Sequence, residues 1–122
     1  MEKPRTNELG QPVGAPLPDW NPPPFPEESI IEGRFCRLEP LDTESHAAAL
    51  FAANARDESG ANWTYLPYGP FSEIDEYTAW VESVAAESDP QFYAVISAES
   101  GVAAGVLSLL RIKPEAGSIE VG

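Results

Sequence analysis

Phe92-Tyr93-Ala94-Val95-Ile96, then Glu99-Ser100-Gly101, then Ala103 to Ile112, then Pro114-Glu115-Ala116-Gly117 and Ser118-Ile119-Glu120-Val121-Gly122 form the stretch that decides the fold. The apolar residues run with a period of two or in short blocks. Each block ends at a glycine-bearing turn, so the pattern predicts a three-stranded antiparallel meander. Upstream the period is different. Ala47, Leu50, Phe51 and Asn54 fall on one helical face, and Tyr77, Trp80, Val81 and Val84 fall on another. Asp42 or Thr43 serves as N-cap for a first helix starting at Glu44 and ended by Ser59-Gly60. Ser72 and Asp75 have the spacing of a capping box, so a second helix is expected from about Glu73 to Glu87, closed by Asp89-Pro90. Ile30 to Leu41 reads as one strand ahead of both helices. Strand, helix, helix and meander in that order give an α+β fold, not a doubly wound sheet.

Residues 1–26 carry eight of the thirteen prolines and end in Pro22-Pro23-Pro24-Phe25-Pro26. Proline fixes φ and removes a backbone donor, so this segment is expected to be an extended arm without sheet or helix, lying on the domain or disordered. Residues 27–122 form the domain proper. A length of 122 residues suits one domain, with no internal repeat.

Seven Lys+Arg against twenty Asp+Glu give a net charge of −13. Phosphate binding needs a basic face, so nucleic acid is excluded as a default partner, and an anionic membrane surface is disfavoured. No apolar run is long enough to span a bilayer. The start, Met1 to Asn7, is polar with no apolar stretch behind it and does not read as a signal peptide. One cysteine, Cys36, makes neither an internal disulfide nor a zinc site, and a cytoplasmic setting fits best. In mid-strand, Cys36 reads as a small buried hydrophobe. His46, in the first turn of the first helix, reads as a surface or packing residue, and no cluster has metal-ligand spacing.

Two features invite a chemical reading. Trp63, Tyr65, Tyr68 and Phe71 place four aromatics in nine residues between the helices. Either the loop folds back and buries its rings, or the rings contact a ligand. Glu120 is the polar residue between Ile119 and Val121. By the strand pattern alone it reads as a solvent-facing carboxylate. Between Asp57 and Leu110 there are nine acidic residues and no basic ones. That serves solubility, or it makes a field that attracts a cation.

Gly33-Arg34-Phe35-Cys36-Arg37-Leu38-Glu39-Pro40-Leu41-Asp42, Asn62-Trp63-Thr64-Tyr65-Leu66-Pro67-Tyr68-Gly69-Pro70-Phe71, Phe92 to Ile96, Ala104-Gly105-Val106 and Ile119-Glu120-Val121-Gly122 together resemble the first half of a GNAT-superfamily N-acetyltransferase. The branch they look most like is the one related to ribosomal-protein N-terminal acetyltransferases. The match covers about residues 28–122. Glu39 departs from it, since many relatives carry Arg in a Leu-Arg-Pro-Leu run. The resemblance implies acetyl transfer from acetyl-CoA, as co-substrate and without a metal, to an amine-bearing small molecule or a protein N-terminus. It implies that the aromatic loop (Trp63, Tyr65, Tyr68, Phe71) lies near the acceptor, and that Glu120 is the base, often acting through water.

The family's coenzyme A pyrophosphate loop, Arg/Gln-x-x-Gly-x-Gly/Ala at a helix start after the fourth strand, is missing. Gln11-Pro12-Val13-Gly14-Ala15-Pro16 matches it only by letters. It ends in proline, follows no strand and opens no helix. The resemblance therefore leads one to expect a domain truncated at the fourth strand and inactive alone. The alternative is a non-catalytic remnant that binds or dimerises, with self-association through the exposed final strand.

Overall fold

A computed structural model describes residues 3–122; Met1 and Glu2, the first residues of the arm and of the polar start, lie outside the described residues. Among the described residues seven strands and two α-helices follow one another. Strands β1 (Arg5–Thr6) and β2 (Pro12–Val13) form a small antiparallel pair. Strands β3 (Ile31–Glu32) and β4 (Cys36–Pro40) precede helix α1 (Thr43–Asn54) and helix α2 (Ile74–Ala85). Strands β5 (Gln91–Ser97), β6 (Ala103–Lys113) and β7 (Ser118–Val121) close the chain. The main sheet is fully antiparallel, in the order β3-β4-β5-β6-β7. The expected α+β class and the three-stranded meander are present.

Three expectations are corrected. The strand expected over Ile30–Leu41 is two strands, because Gly33 N–H donates to Cys36 O at 2.9 Å and reverses the chain. A Cβ at Gly33 would lie 2.8 Å from that same oxygen, so the turn needs glycine. The arm does contain a sheet element. Asn7 Oδ1 accepts from the N–H groups of Leu9 and Gln11 and closes a turn that brings Arg5–Thr6 against Pro12–Val13. Pro12 is tolerated because a two-stranded ribbon is all edge. The capping box does not form. The N-cap of α2 is Glu73, without a side-chain cap bond, and α2 stops at Ala85. For α1 the cap is Asp42, whose carboxylate accepts from Ser45 N at 2.9 Å. That helix ends at Asn54, several residues before Ser59-Gly60.

Both helices pack on one face of the sheet. Cross-strand partners share a face, so the register puts Phe92, Ala94 and Ile96 beneath the helices, along with Glu39 on β4 and Ser108 on β6. Leu50, Tyr77 and Val81 complete the core from the helix side, as their helical spacing requires. Tyr93 and Gln91 point to the opposite face, where the arm crosses. Tyr93 Oη donates to Gln91 Oε1 at 2.6 Å, and Gln91 Nε2 donates to Pro26 O at 3.0 Å. Further along, the Trp20 ring lies against Gly117, whose φ of 65° and missing Cβ admit it. The segment from Trp20 to Pro26 therefore lies against the domain. No helix among the described residues is long and apolar enough to cross a membrane.

Candidate functional site

The loop between the helices carries the four expected aromatics, and the structure divides them. Trp63, Tyr68 and Phe71 fold back into a ring network. Trp63 meets Phe71 edge-on at 5.5 Å and Tyr68 at 6.1 Å. Tyr68 lies 4.7 Å from Trp80, and Trp80 meets Phe92 edge-on at 5.6 Å. Each such pair contributes about 0.5–1.5 kcal/mol beyond area burial, so the loop is held by the core. Gly69, at φ 75°, lets the Trp63 ring press where a Cβ would be. Tyr65 behaves differently: it is 97% exposed and touches none of these rings.

The loop, the last turn of α1 and the start of α2 enclose a cleft of about 510 Å³. Phe51, Trp63 and Phe71 form its apolar wall, and Asn54, Glu58 and Ser59 line it with polar groups. Tyr77 also lines it, although only 1% of that residue is exposed. The Tyr77 hydroxyl is buried and makes no hydrogen bond of good geometry among the described residues, with the Asn54 side chain its nearest polar neighbour. Burial pushes its pKa up to about 12 while a weak hydrogen bond from the Asn54 side chain pulls the other way, so it is a neutral hydroxyl at ordinary pH. Asp57, at the rim, is already committed. Its Oδ1 accepts from Ser59 Oγ at 3.2 Å and its Oδ2 from Asn62 N at 2.9 Å, which braces the loop.

Glu120 shares the helix face of the sheet, opposite Leu110 on β6. Its side chain is 49% exposed and pairs with Arg111 Nε at 3.2 Å. An ion pair so exposed contributes little, about 0–1 kcal/mol. Trp63 and Phe71 thus line one cleft, Tyr68 and Tyr65 lie outside its lining, and Glu120 stands on the sheet.

Sequence reasoning missed two sites. Tyr77 was legible as a core position of α2, but nothing in its spacing showed that its hydroxyl would be buried with only the Asn54 side chain near it. The second is a polar knot at the start of α1. His46, 4% exposed, accepts from Asp42 N–H at Nδ1 (3.0 Å), so its proton is on Nε2, which donates to Glu39 Oε1 at 2.8 Å. Glu39 Oε2 takes Arg37 Nε, also at 2.8 Å. The hydrogen bond from His46, then that from Arg37, holds the Glu39 carboxyl below its ordinary value. His46 is accordingly a buried structural residue with both ring nitrogens occupied. Cys36 is free and half-buried on β4. Among the described residues no group of three or more His, Cys, Asp and Glu side chains could hold a metal ion.

Residues 3–122 offer no glycine-bearing helix start after a strand. Gln11–Pro16 falls across β2 and opens no helix. At the start of α1, Glu44 and the Asp42 cap occupy the space an anion would take. No described residue is therefore assigned to the coenzyme A pyrophosphate.

Two solved structures share this architecture. A GCN5-related N-acetyltransferase from Brucella melitensis superposes with a TM-score of 0.83 and 40% identity, over 87% of this chain and 48% of its own. A probable acetyltransferase of the GNAT family from Chromobacterium violaceum superposes with a TM-score of 0.76 and 35% identity, over 92% of this chain and 56% of its own. The chain thus spans about half the length of the structures it matches. No protein-family model and no curated protein matches it. The fold is GNAT-like α+β, and the likeness to these acetyltransferases supports the GNAT superfamily.

Proposed function

We propose that this protein takes part in acetyl transfer from acetyl-CoA to an amine, either a small molecule or a protein N-terminus, as in the branch related to ribosomal-protein N-terminal acetyltransferases. The observation that carries this reading is the 40% identity to a GCN5-related N-acetyltransferase across 87% of the chain. Acetyl-CoA, when bound, supplies the thioester. The chain's own part is to hold the acceptor and to take its proton. The aromatic loop, through Trp63, Tyr65, Tyr68 and Phe71, shapes the acceptor side, and its rings exclude water from one wall. Glu120, on the same face of the sheet as the helices, receives the ammonium proton through a water molecule, with Arg111 fixing its orientation.

The test is release of coenzyme A thiol by the protein from millimolar acetyl-CoA with a panel of small amines and N-terminal peptides. Such concentrations offset the lack of an assigned pyrophosphate cradle. Glu120→Gln should slow turnover by about 10²–10⁴-fold. Thiol release no faster than in buffer, with every acceptor, would sink the proposal.

A further inference from the structure

Arg111 is strained in the middle of a strand. Its φ is 48°, and among the described residues it is the one non-glycine residue with a positive φ. Asp89 holds it there. Its Oδ1 accepts from the Arg111 N–H and its Oδ2 from the Ile112 N–H, each at 3.0 Å. Around this point the pairing of β6 with β7 shifts register, between Leu110 and Lys113. Backbone strain persists only where its surroundings enforce it, and it collects where a side chain has to be aimed. Here the bulge brings Arg111, Lys113, Ser118 and Glu120 around an open pocket of about 220 Å³. Two of the chain's seven basic residues thus share one pocket in a protein of net charge −13. Glu120 takes only Arg111 Nε, at 3.2 Å, on a guanidinium side chain that is 76% exposed. The outer guanidinium nitrogens and the Lys113 ammonium make no ion pair among the described residues.

We infer that this pocket binds the carboxylate of a small ligand, with both oxygens on the outer nitrogens of Arg111, Lys113 adding charge and Ser118 adding a hydroxyl. The planar guanidinium fork matches a carboxylate with two parallel hydrogen bonds, a match that an ammonium lacks. Binding rests on the pocket alone. The ligand's place as acetyl acceptor rests on the function proposed above, in which Glu120, on the rim of the same pocket, takes the proton. The acceptor is then an amine that also carries a carboxylate, as a free amino acid does. A neutral amide of the same shape forgoes the charge, and chloride forgoes the two-point geometry.

The experiment is an amide chemical-shift titration by NMR, near pH 7 and at constant ionic strength, using N-acetylalaninate, N-acetylalaninamide and chloride as probes. The carboxylate should shift the amides of Arg111, Ile112, Lys113 and Ser118 to Glu120 saturably. The amide and chloride should show no saturation there. Arg111→Gly should keep the fold and its Tm, because glycine adopts a φ of 48° freely and Asp89 keeps its two N–H partners, yet it should weaken carboxylate binding about tenfold, as loss of hydrogen bonds to a charged group requires. Arg111→Lys keeps the charge and the Cβ and should weaken binding several-fold, and it carries the test if the glycine variant unfolds. Glu120→Gln should tighten binding several-fold, since it removes a repelling carboxylate and frees the guanidinium. Equal binding of acid and amide, no saturable shift at these amides, or an affinity untouched by both Arg111 substitutions would each overturn the inference. So would displacement of the probe by coenzyme A, which would make the pocket a phosphate site of the cofactor. Carboxylate binding without thiol release from acetyl-CoA would instead refute the transfer reading and leave the pocket assignment standing.

Discussion

Removing the Tyr77 hydroxyl should make the ligand-free protein more stable. Tyr77→Phe deletes one atom and leaves the ring contacts to Phe51 (6.1 Å), Phe71 (5.4 Å) and Trp80 (5.6 Å) in place. The atom removed is buried, makes no hydrogen bond of good geometry, and has only the Asn54 side chain as a weak polar neighbour. A buried polar group in that state costs about 1–3 kcal/mol, and the lower figure applies where a cleft opens beside it. The gain is therefore about 1 kcal/mol, which for a domain of this size raises Tm by about 3–5 °C. Thermal unfolding followed by far-UV circular dichroism, with urea titration as a second probe, reads it directly. The pH dependence adds a sign. The folded pKa of about 12 lies above the ordinary 10.0, so the neutral hydroxyl is favoured in the folded state. That contribution is fully present below pH 10 and is lost as pH rises toward 12. Tyr77→Phe should lose less stability than the parent over that window. A variant less stable than the parent at pH 7 would refute the reasoning, because it would mean that the hydroxyl has a partner worth more than its burial costs.

Other expectations follow from the same geometry. Leu50→Ala, at a core position 1% exposed, should cost about 2–5 kcal/mol, read as a lower urea midpoint. Glu39→Gln should blunt acid sensitivity. The native carboxyl is held below 4.5, so its contribution is present above that pH and disappears as pH falls through the lower folded value, and the Tm gap between parent and variant should close between pH 6 and pH 3. Gly69→Ala should dislodge Trp63, because the new methyl meets the indole and the backbone there has φ 75°, and near-UV circular dichroism should lose intensity. Strand β7 has all four residues exposed at the sheet's end, so the protein should self-associate more as salt screens its net charge of −13; sedimentation at low and high salt tests this, and Ile119→Lys should suppress it.

The element order was legible in the sequence because period carries it. Leu50, Tyr77 and Val81 sit where a 3.6-residue repeat puts them, and Phe92, Ala94 and Ile96 where a two-residue repeat does. What local pattern could not show was set by single hydrogen bonds. The Gly33 N–H bond to Cys36 O divides a strand that reads as continuous, and the two bonds to Asn7 Oδ1 fold back an arm whose prolines argue for an extended chain. The aromatic loop was visible as a cluster, but its partition was not. Trp63, Tyr68 and Phe71 pack because Trp80 and Phe92, distant in sequence, supply the surface, while Tyr65 has no such neighbour. The Glu39–His46 contact joins a strand to a helix across a corner, so no single period runs through it.

That corner also bears on how the sequence can drift. His46 spends both nitrogens, one on the Asp42 N–H and one on Glu39, so neither side chain can be exchanged without stranding the other. An arginine at position 39, the residue many GNAT relatives carry there, has no acceptor for the imidazole N–H. A lineage that acquires arginine at 39 must change position 46 in step or lose the lock on the first turn of α1. The two positions are therefore expected to change together, so that descendants of this chain show glutamate with histidine or neither.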